Sequence, residues 1–313
     1  MTRAFVFPGQ GSQAVGMGRD LAGAFAPARM VFEEVDEALK QPLSRLMFEG
    51  PEDELTLTEN AQPALMAVSM AIVRTLEREG GFDLARQVRF VAGHSLGEYS
   101  ALAAAGTFAL VDTARLLKIR GQAMQQAVPV GQGAMAALLG LDLDAARAVA
   151  LEAAQGEICA AANDNAPGQV VISGHKTAVE RALVIAKTKG AKRALLLPVS
   201  APFHCALMAP AAEAMAKALA DTAMHAPVVP VVANVTARPT GEIGIIRGLL
   251  VEQVTGMVRW RESVEFLKDQ GVTAAVELGA GKVLTGLCKR IAPEIAASSI
   301  GAPAEIEAFL KTL

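Results

Sequence analysis

The sequence predicts an α/β protein: a large domain of the α/β-hydrolase kind on a parallel central sheet, carrying a small inserted ferredoxin-like unit. Three observations predict it. Residues 89–106, RFVAGHSLGEYSALAAAG, read as a short apolar strand, a sharp glycine-flanked turn and a strong helix. Residues 126–198 alternate as strand, helix, strand, strand, helix, strand, the βαββαβ order of a ferredoxin-like unit. The insert begins and ends at points that must return close together, which assigns residues 1–127 and 199–313 to the large domain and 128–198 to the small one.

The elements follow in order. Residues 4–7, AFVF, form a buried strand, and Pro8-Gly9-Gln10-Gly11-Ser12-Gln13 a loop whose glycines let backbone approach a ligand. Gly9, Gly11 and Ala14 fit a dinucleotide fingerprint, but the acid-bearing second strand it needs is missing: residues 31–39 read as helix and the next strand is 88–92. A loop offering N–H groups to a substrate oxygen survives that objection. Leu65, Val68, Ile72 and Leu76 mark a helix over residues 60–79, closed by Gly80-Gly81. The elbow helix covers 98–105, and a further helix over 112–126 carries Arg115, Lys118 and Arg120.

Inside the insert the expected run is strand 134–141, helix 142–154, strand 158–162, turn 163–168, strand 169–173, helix 176–189 and strand 194–199. Beyond it come a helix over 209–220, a strand over 228–233, a polar stretch, Val251-Glu252-Gln253-Val254 without an assigned element, a helix over 261–270, strands at 273–276 and 298–301, and a closing helix over 302–313. Gly279-Ala280-Gly281-Lys282 is not a phosphate loop, because Val276 replaces its first glycine and Val283 its hydroxyl residue.

Composition narrows the class. With 313 residues, 52% of them apolar and 19% charged, the chain can bury a sizeable core. Cys159, Cys205 and Cys288 are odd in number and dispersed, which argues against a disulfide framework or a zinc site and for thiols in a reducing compartment. The first apolar run stops at Pro8-Gly9, too short for a signal peptide, and no stretch offers about 20 consecutive apolar residues for a membrane span. A cytoplasmic location is expected. A net charge of −3 gives no basis for a nucleic-acid partner.

Gly93-His94-Ser95-Leu96-Gly97 is a G-x-S-x-G elbow. Such a turn lifts its serine above the sheet, and a Cβ on either glycine would strike neighbouring backbone. The helix behind it points N–H groups at charge developing on a bound carbonyl. An activated serine needs a base. His94 adjoins Ser95 and points elsewhere, His175 opens a helix and His225 lies in a proline-flanked loop; His204, in the loop at the domain junction, remains. No acid stands in a motif-like setting between Ser95 and His204, so a dyad held by a backbone carbonyl or an amide is expected.

Seven segments then carry a resemblance: FPGQGSQAVGMG (7–18), TENAQPAL (58–65), GHSLGEYSAL (93–102), RGQAM (120–124), NAPGQVVISG (165–174), PVSAPFHCALM (198–208) and VLTGLCKRI (283–291). Together and in this order they resemble the malonyl-CoA:acyl carrier protein transacylases of bacterial fatty acid synthesis, essentially end to end. The resemblance implies Ser95 as nucleophile, His204 as base, the backbone N–H groups of Gln10 and Leu96 as oxyanion hole, and the Gln253 carbonyl as the group orienting His204. It implies Arg120 as a clamp for the malonyl carboxylate, pocket positions at Gln62, Met124 and Asn163, and malonyl selectivity from Phe203. Ala280 departs from the family's usual proline. The implied partners are malonyl-CoA and acyl carrier protein, with no metal or other cofactor, no nucleic acid and no membrane, in a monomer. Lys187, Lys189, Lys192 and Arg193 form a basic run suited to an acidic carrier or to no more than a solvated helix end. A serine hydrolase and a non-catalytic carrier-binding module are the competing classes.

Overall fold

Ala4, Phe5, Val6 and Phe7 are all buried, and this fixes where their strand must sit. A run buried at every position is covered on both faces. In the computed structural model, which describes residues 2–199 and 201–312, that strand is interior to the larger of two sheets. Ser200 of the expected return segment, and Met1 and Leu313 at the ends of the expected large domain, lie outside the described residues.

The larger sheet holds β1 (Arg3–Phe7), β2 (Phe90–Gly93), β7 (Val231–Ala233), β8 (Arg238–Thr240), β9 (Ala274–Leu278) and β10 (Ala296–Ile300). Their order is β10-β9-β1-β2-β7-β8, parallel throughout except for the antiparallel β7–β8 edge. The two-residue period of a strand divides its side chains between two cores. Phe5, Phe7, Val91 and Val276 face the helices Ala26–Leu39, Thr58–Gly80 and Leu110–Gln126, while Ala4, Val6, Phe90 and Ala92 pack with Trp260, Leu267 and Leu284.

The second sheet, β3 (Gly133–Leu139), β4 (Cys159–Ala166), β5 (Gln169–His175) and β6 (Arg193–Leu196), is antiparallel in the order β4-β5-β3-β6. Helices Leu143–Ala154 and Lys176–Thr188 cover Ala136, Leu138, Val170 and Ile172 on one face. Met135 and Val171 on the other face join the main core. The result is a mixed α/β fold with a cleft between the sheets.

Several boundaries differ from expectation. The expected turn at 163–168 is mostly strand, since β4 continues to Ala166 and only Pro167-Gly168 turns. Two register shifts, at Ala161/Asn163 and Asp164/Ala166, absorb the polar residues as bulges. Asp164 N donates to Val258 O and Val258 N to Ala162 O, both at 2.9 Å, and the buried Asp164 carboxylate pairs with Arg261 at 2.8 Å. These bonds stitch β4 to the body of the protein. The expected strand 194–199 stops at Leu196, ahead of Pro198, which has no N–H to offer a ladder.

Val251-Glu252-Gln253-Val254 belongs to a helix, Ile243–Thr255, that Gly244 and Gly248 hide from propensity. Short helices Arg19–Ala24, Leu43–Glu49, Glu52–Thr56 and Leu84–Gln87, helix Val283–Ile291 and the edge strand β8 were not expected either. The N-terminus of Val283–Ile291, beside the false phosphate loop, is filled by the chain's own Glu277. Its carboxylate accepts from Leu284 N (3.1 Å), Thr285 N (2.7 Å) and Thr285 Oγ1 (2.7 Å). No helix among the described residues is long and apolar enough to cross a membrane.

Two helix glycines predict opposite outcomes. A Cβ on Gly121 would lie 2.5 Å from Glu59 Cα and 2.7 Å from Thr58 O, so Gly121→Ala should lower the thermal midpoint, at a cost of about 1–3 kcal/mol. Gly248 has nothing within 4 Å, so Gly248→Ala should raise it, by about 0.5–1 kcal/mol.

Candidate active site

The elbow is built by contacts that exclude side chains. A Cβ on Gly93 would lie 1.9 Å from Gly97 C, and one on Gly97 would lie 2.2 Å from Phe7 O at the end of β1. Between them Ser95 is held at φ 54°, a left-handed conformation that costs a non-glycine residue about 1–3 kcal/mol. Asn234, just past β7, holds the turn. Its Oδ1 accepts from Ser95 N at 2.7 Å and its Nδ2 donates to Gly93 O at 2.6 Å.

His204 is also left-handed, at φ 58°, and is buried. Its Nε2 lies 2.8 Å from Ser95 Oγ. Its Nδ1 faces two carbonyls at the end of helix Ile243–Thr255, Gln253 O at 2.9 Å and Gly256 O at 3.1 Å. Two acceptors require Nδ1 to carry the proton, which leaves Nε2 free to accept from the serine. Burial, and then the nearby Arg120 charge, push the ring's pKa down to about 3 against the opposing pull of the two carbonyls. The imidazole is therefore neutral.

Arg120 reaches the site because Gly121 lets its helix lie against Thr58 and Glu59. It is 1% exposed. Nη1 donates to Gln62 Oε1 (2.7 Å), and Nη2 to Gln253 Oε1 (2.8 Å) and Ser95 Oγ (3.1 Å). The guanidinium lies over the Tyr99 ring at 5.6 Å, and Nε has no partner. Every hydrogen-bond partner is neutral. Burial accordingly lowers the Arg120 pKa.

A cavity of about 450 Å³ opens over these groups. Gln10, Leu96, Ser95, His204 and Arg120 line it, as do Gln62, Met124, Asn163 and Phe203; Met135 and Val171 contribute from the second sheet. Gln253 sits behind the wall, reaching Arg120 with its side chain and His204 with its carbonyl. Of the other histidines, His94 also lines the cavity but its Nε2 lies 2.8 Å from Asn165 Oδ1, His175 Nδ1 accepts from Ile158 N, and His225 is exposed in its loop. Lys187, Lys189, Lys192 and Arg193 are exposed outside the cavity, and Lys189 pairs with Glu152 at 3.0 Å. Among the described residues no group of three or more His, Cys, Asp or Glu side chains is placed to hold a metal ion. Sequence reasoning missed Asn234, Glu98 and the Gly256 carbonyl; an acid in the first turn of the otherwise uncharged elbow helix was the one available signal.

A hydroxyl against a neutral imidazole, with a cation hydrogen-bonded to no anion a few ångströms away, suits acyl transfer to or from a group with an anionic tail. The acyl transferase domain family matches residues 4–297. The chain belongs to that family. It is 49% identical over 309 residues to the malonyl CoA-acyl carrier protein transacylase of Escherichia coli K12, covering 98% of each chain. The crystal structure of acyl-carrier-protein-S-malonyltransferase from Bartonella henselae superposes with a TM-score of 0.97 at 58% identity, over 100% of this chain and 99% of that one. A malonyl-transacylase in complex with its holo type II PKS acyl-carrier protein gives a TM-score of 0.96 at 46% identity over the whole of both chains. The resemblance carried by the seven motifs is thus borne out along the chain.

The depressed His204 pKa carries a sign. An unfolded ring takes its proton near its ordinary value of 6.5, and the folded one only near 3. Stability linked to this group is present above pH 6.5 and is lost as the pH falls below it. The His204 ring resonance should not titrate between pH 5 and 8, and His204→Gln should lose less thermal stability than the parent between pH 7 and 5.

Proposed function

We propose that the protein transfers a malonyl group from malonyl-CoA to the phosphopantetheine thiol of acyl carrier protein through a malonyl ester on Ser95, supplying fatty acid biosynthesis. The observation that carries the reading is Arg120: a buried guanidinium, hydrogen-bonded only to neutral groups, 3.1 Å from the serine oxygen. A planar fork of donors without a carboxylate is suited to accept one from the substrate. Loaded on Ser95, a malonyl group extends its free carboxylate toward that fork. The names of the relatives support the same substrate pair.

Ser95 Oγ attacks the thioester carbonyl while His204 Nε2 takes the hydroxyl proton. The backbone N–H groups of Gln10 and Leu96 receive the developing oxyanion, a contribution worth roughly 10²–10³ in rate per donor. The C–S bond breaks, and His204 returns the proton to the departing CoA thiolate. In the second half the carrier thiol gives its proton to His204, attacks the ester carbonyl, and the proton passes to Ser95 Oγ as that bond breaks. The carbonyl of Gln253 holds the ring through both halves, standing where a triad acid would. Gln62 fixes the other edge of Arg120, and Met124, Asn163 and Phe203 shape the space around the acyl group.

We infer further that residues 1–127 and 199–313 form the α/β-hydrolase-like catalytic domain and 128–198 an inserted ferredoxin-like unit. The βαββαβ succession and the antiparallel β4-β5-β3-β6 order support the second assignment. We also infer a monomer, and three dispersed free cysteines are consistent with the cytoplasm. Lys187, Lys189, Lys192 and Arg193 form the docking patch for the acidic carrier.

Intact-protein mass after mixing with malonyl-CoA should show a malonyl adduct that Ser95→Ala lacks and that moves to added holo carrier protein. An adduct lost only to water would instead mean a hydrolase. Arg120→Ala should lower kcat/KM for malonyl loading by about 10²- to 10⁴-fold, since two charge-assisted bonds are worth roughly 1.5–3 kcal/mol each, while acetyl loading is kept or raised. Equal losses for both acyl groups would rule out the clamp. Charge reversal at Lys187 and Lys192 should raise KM for the carrier and leave KM for malonyl-CoA unchanged; a rise in both would remove the docking role.

A further inference from the structure

The elbow helix, Gly97–Ala104, is buried along its whole length and carries one acid, Glu98, which is 2% exposed. Among the described residues that carboxyl group makes no ion pair. Its Oε2 accepts from Gln253 Nε2 at 2.7 Å and from Asn234 N at 3.1 Å. Burial raises its pKa to about 7, with the two N–H donors and Arg120 pulling the other way. A buried carboxyl without a cationic contact is costly, so its acceptor oxygen must serve something.

Its two partners are the residues on which the site hangs. Asn234 secures Ser95 N and Gly93 O. Gln253 holds His204 with its backbone carbonyl, and its amide divides in two: Nε2 donates to Ser95 O (3.0 Å) and to Glu98, while Oε1 accepts from Arg120 Nη2 (2.8 Å). A primary amide has one accepting end and one donating end. Reversed, it would set its N–H bonds against the Arg120 donors and its oxygen against the oxygens of Glu98 and Ser95. Glu98 is the side-chain acceptor that selects one orientation.

We propose that Glu98 is a positioning residue of the malonyl clamp: it fixes the orientation of the Gln253 amide, and through that amide the setting of Arg120 against the Ser95 acyl group. The proposal rests on the malonyl-transfer reading above. It makes malonyl preference depend on a group that does not line the cavity and touches no substrate.

The test compares malonyl and acetyl loading of Ser95, by time-resolved intact mass over a range of acyl-CoA concentrations, in the wild type, Glu98→Leu, Glu98→Gln and Glu98→Asp. Leucine removes the acceptor, so the malonyl-to-acetyl ratio of kcat/KM should fall about tenfold, mainly through KM for malonyl-CoA. Glutamine can offer Oε1 to both N–H donors and should recover most of the ratio. A merely structural role would depress both acyl groups together. A ratio in Glu98→Leu within twofold of wild type overturns the proposal, as does a Glu98→Gln ratio as low as that of leucine. Should the leucine variant not fold, Glu98→Asp, whose oxygen is withdrawn by one methylene, decides: a lowered ratio supports the role and an unchanged ratio overturns it. Wild-type protein that takes no malonyl group at all overturns the functional reading itself, whereas malonylated wild type with unaltered variants overturns only the part given to Glu98.

Discussion

A buried guanidinium with no carboxylate bonded to it, and with Glu98 acting on it only across the Gln253 amide, is the constraint on which much of the surrounding structure depends. Removing a charge from water costs several kcal/mol after relaxation, and Arg120 recovers part of that through Gln62, Gln253, Ser95 and the Tyr99 ring. The protein is built to sustain that deficit. Gly121 brings the arginine's helix against the helix bearing Gln62, and Gln253 is supplied by a helix whose final carbonyls also hold His204. Arg120 and His204 are thus set by one short segment of chain.

The same economy accounts for His204 facing carbonyls and no acid. A carboxylate beside His204 would also lie near Arg120 and would satisfy the charge that the site keeps open. Neutral carbonyls fix the tautomer of the ring without supplying a counter-ion. Burial then keeps the imidazole neutral.

What was legible in the sequence follows from the range over which each constraint acts. The elbow spans five residues, and its glycines are dictated by backbone contacts at about 2 Å, so a short motif records it. Most of the strands and the long helices were readable because apolar periodicity is local, whereas their order in the sheet was not. Asn234 and Glu98 were not, because each acts through a bond to a residue more than 130 positions away. The polar run 163–166 looked like a turn because bulged strand and turn draw on the same residues; only the pairing with Val258 and Arg261 separates them. The helix that carries Gln253 was lost to its glycines. Arg120 drew interest by its place after the elbow, but its lack of a counter-ion is a property of the folded interior alone.

The stitched strand β4 has a mechanical meaning. Main-chain bonds to Val258, the Arg261 ion pair and the contact between Asn165 and His94 fasten one side of the small sheet to the frame of the protein. Its opposite edge, β6, has no strand beyond it, and Leu195 and Leu196 are partly exposed there. Just beyond β6, Leu197 and Val199 pack against the main core, so the small sheet is moored to the frame at both edges and the wall that carries Asn163 is held from two sides.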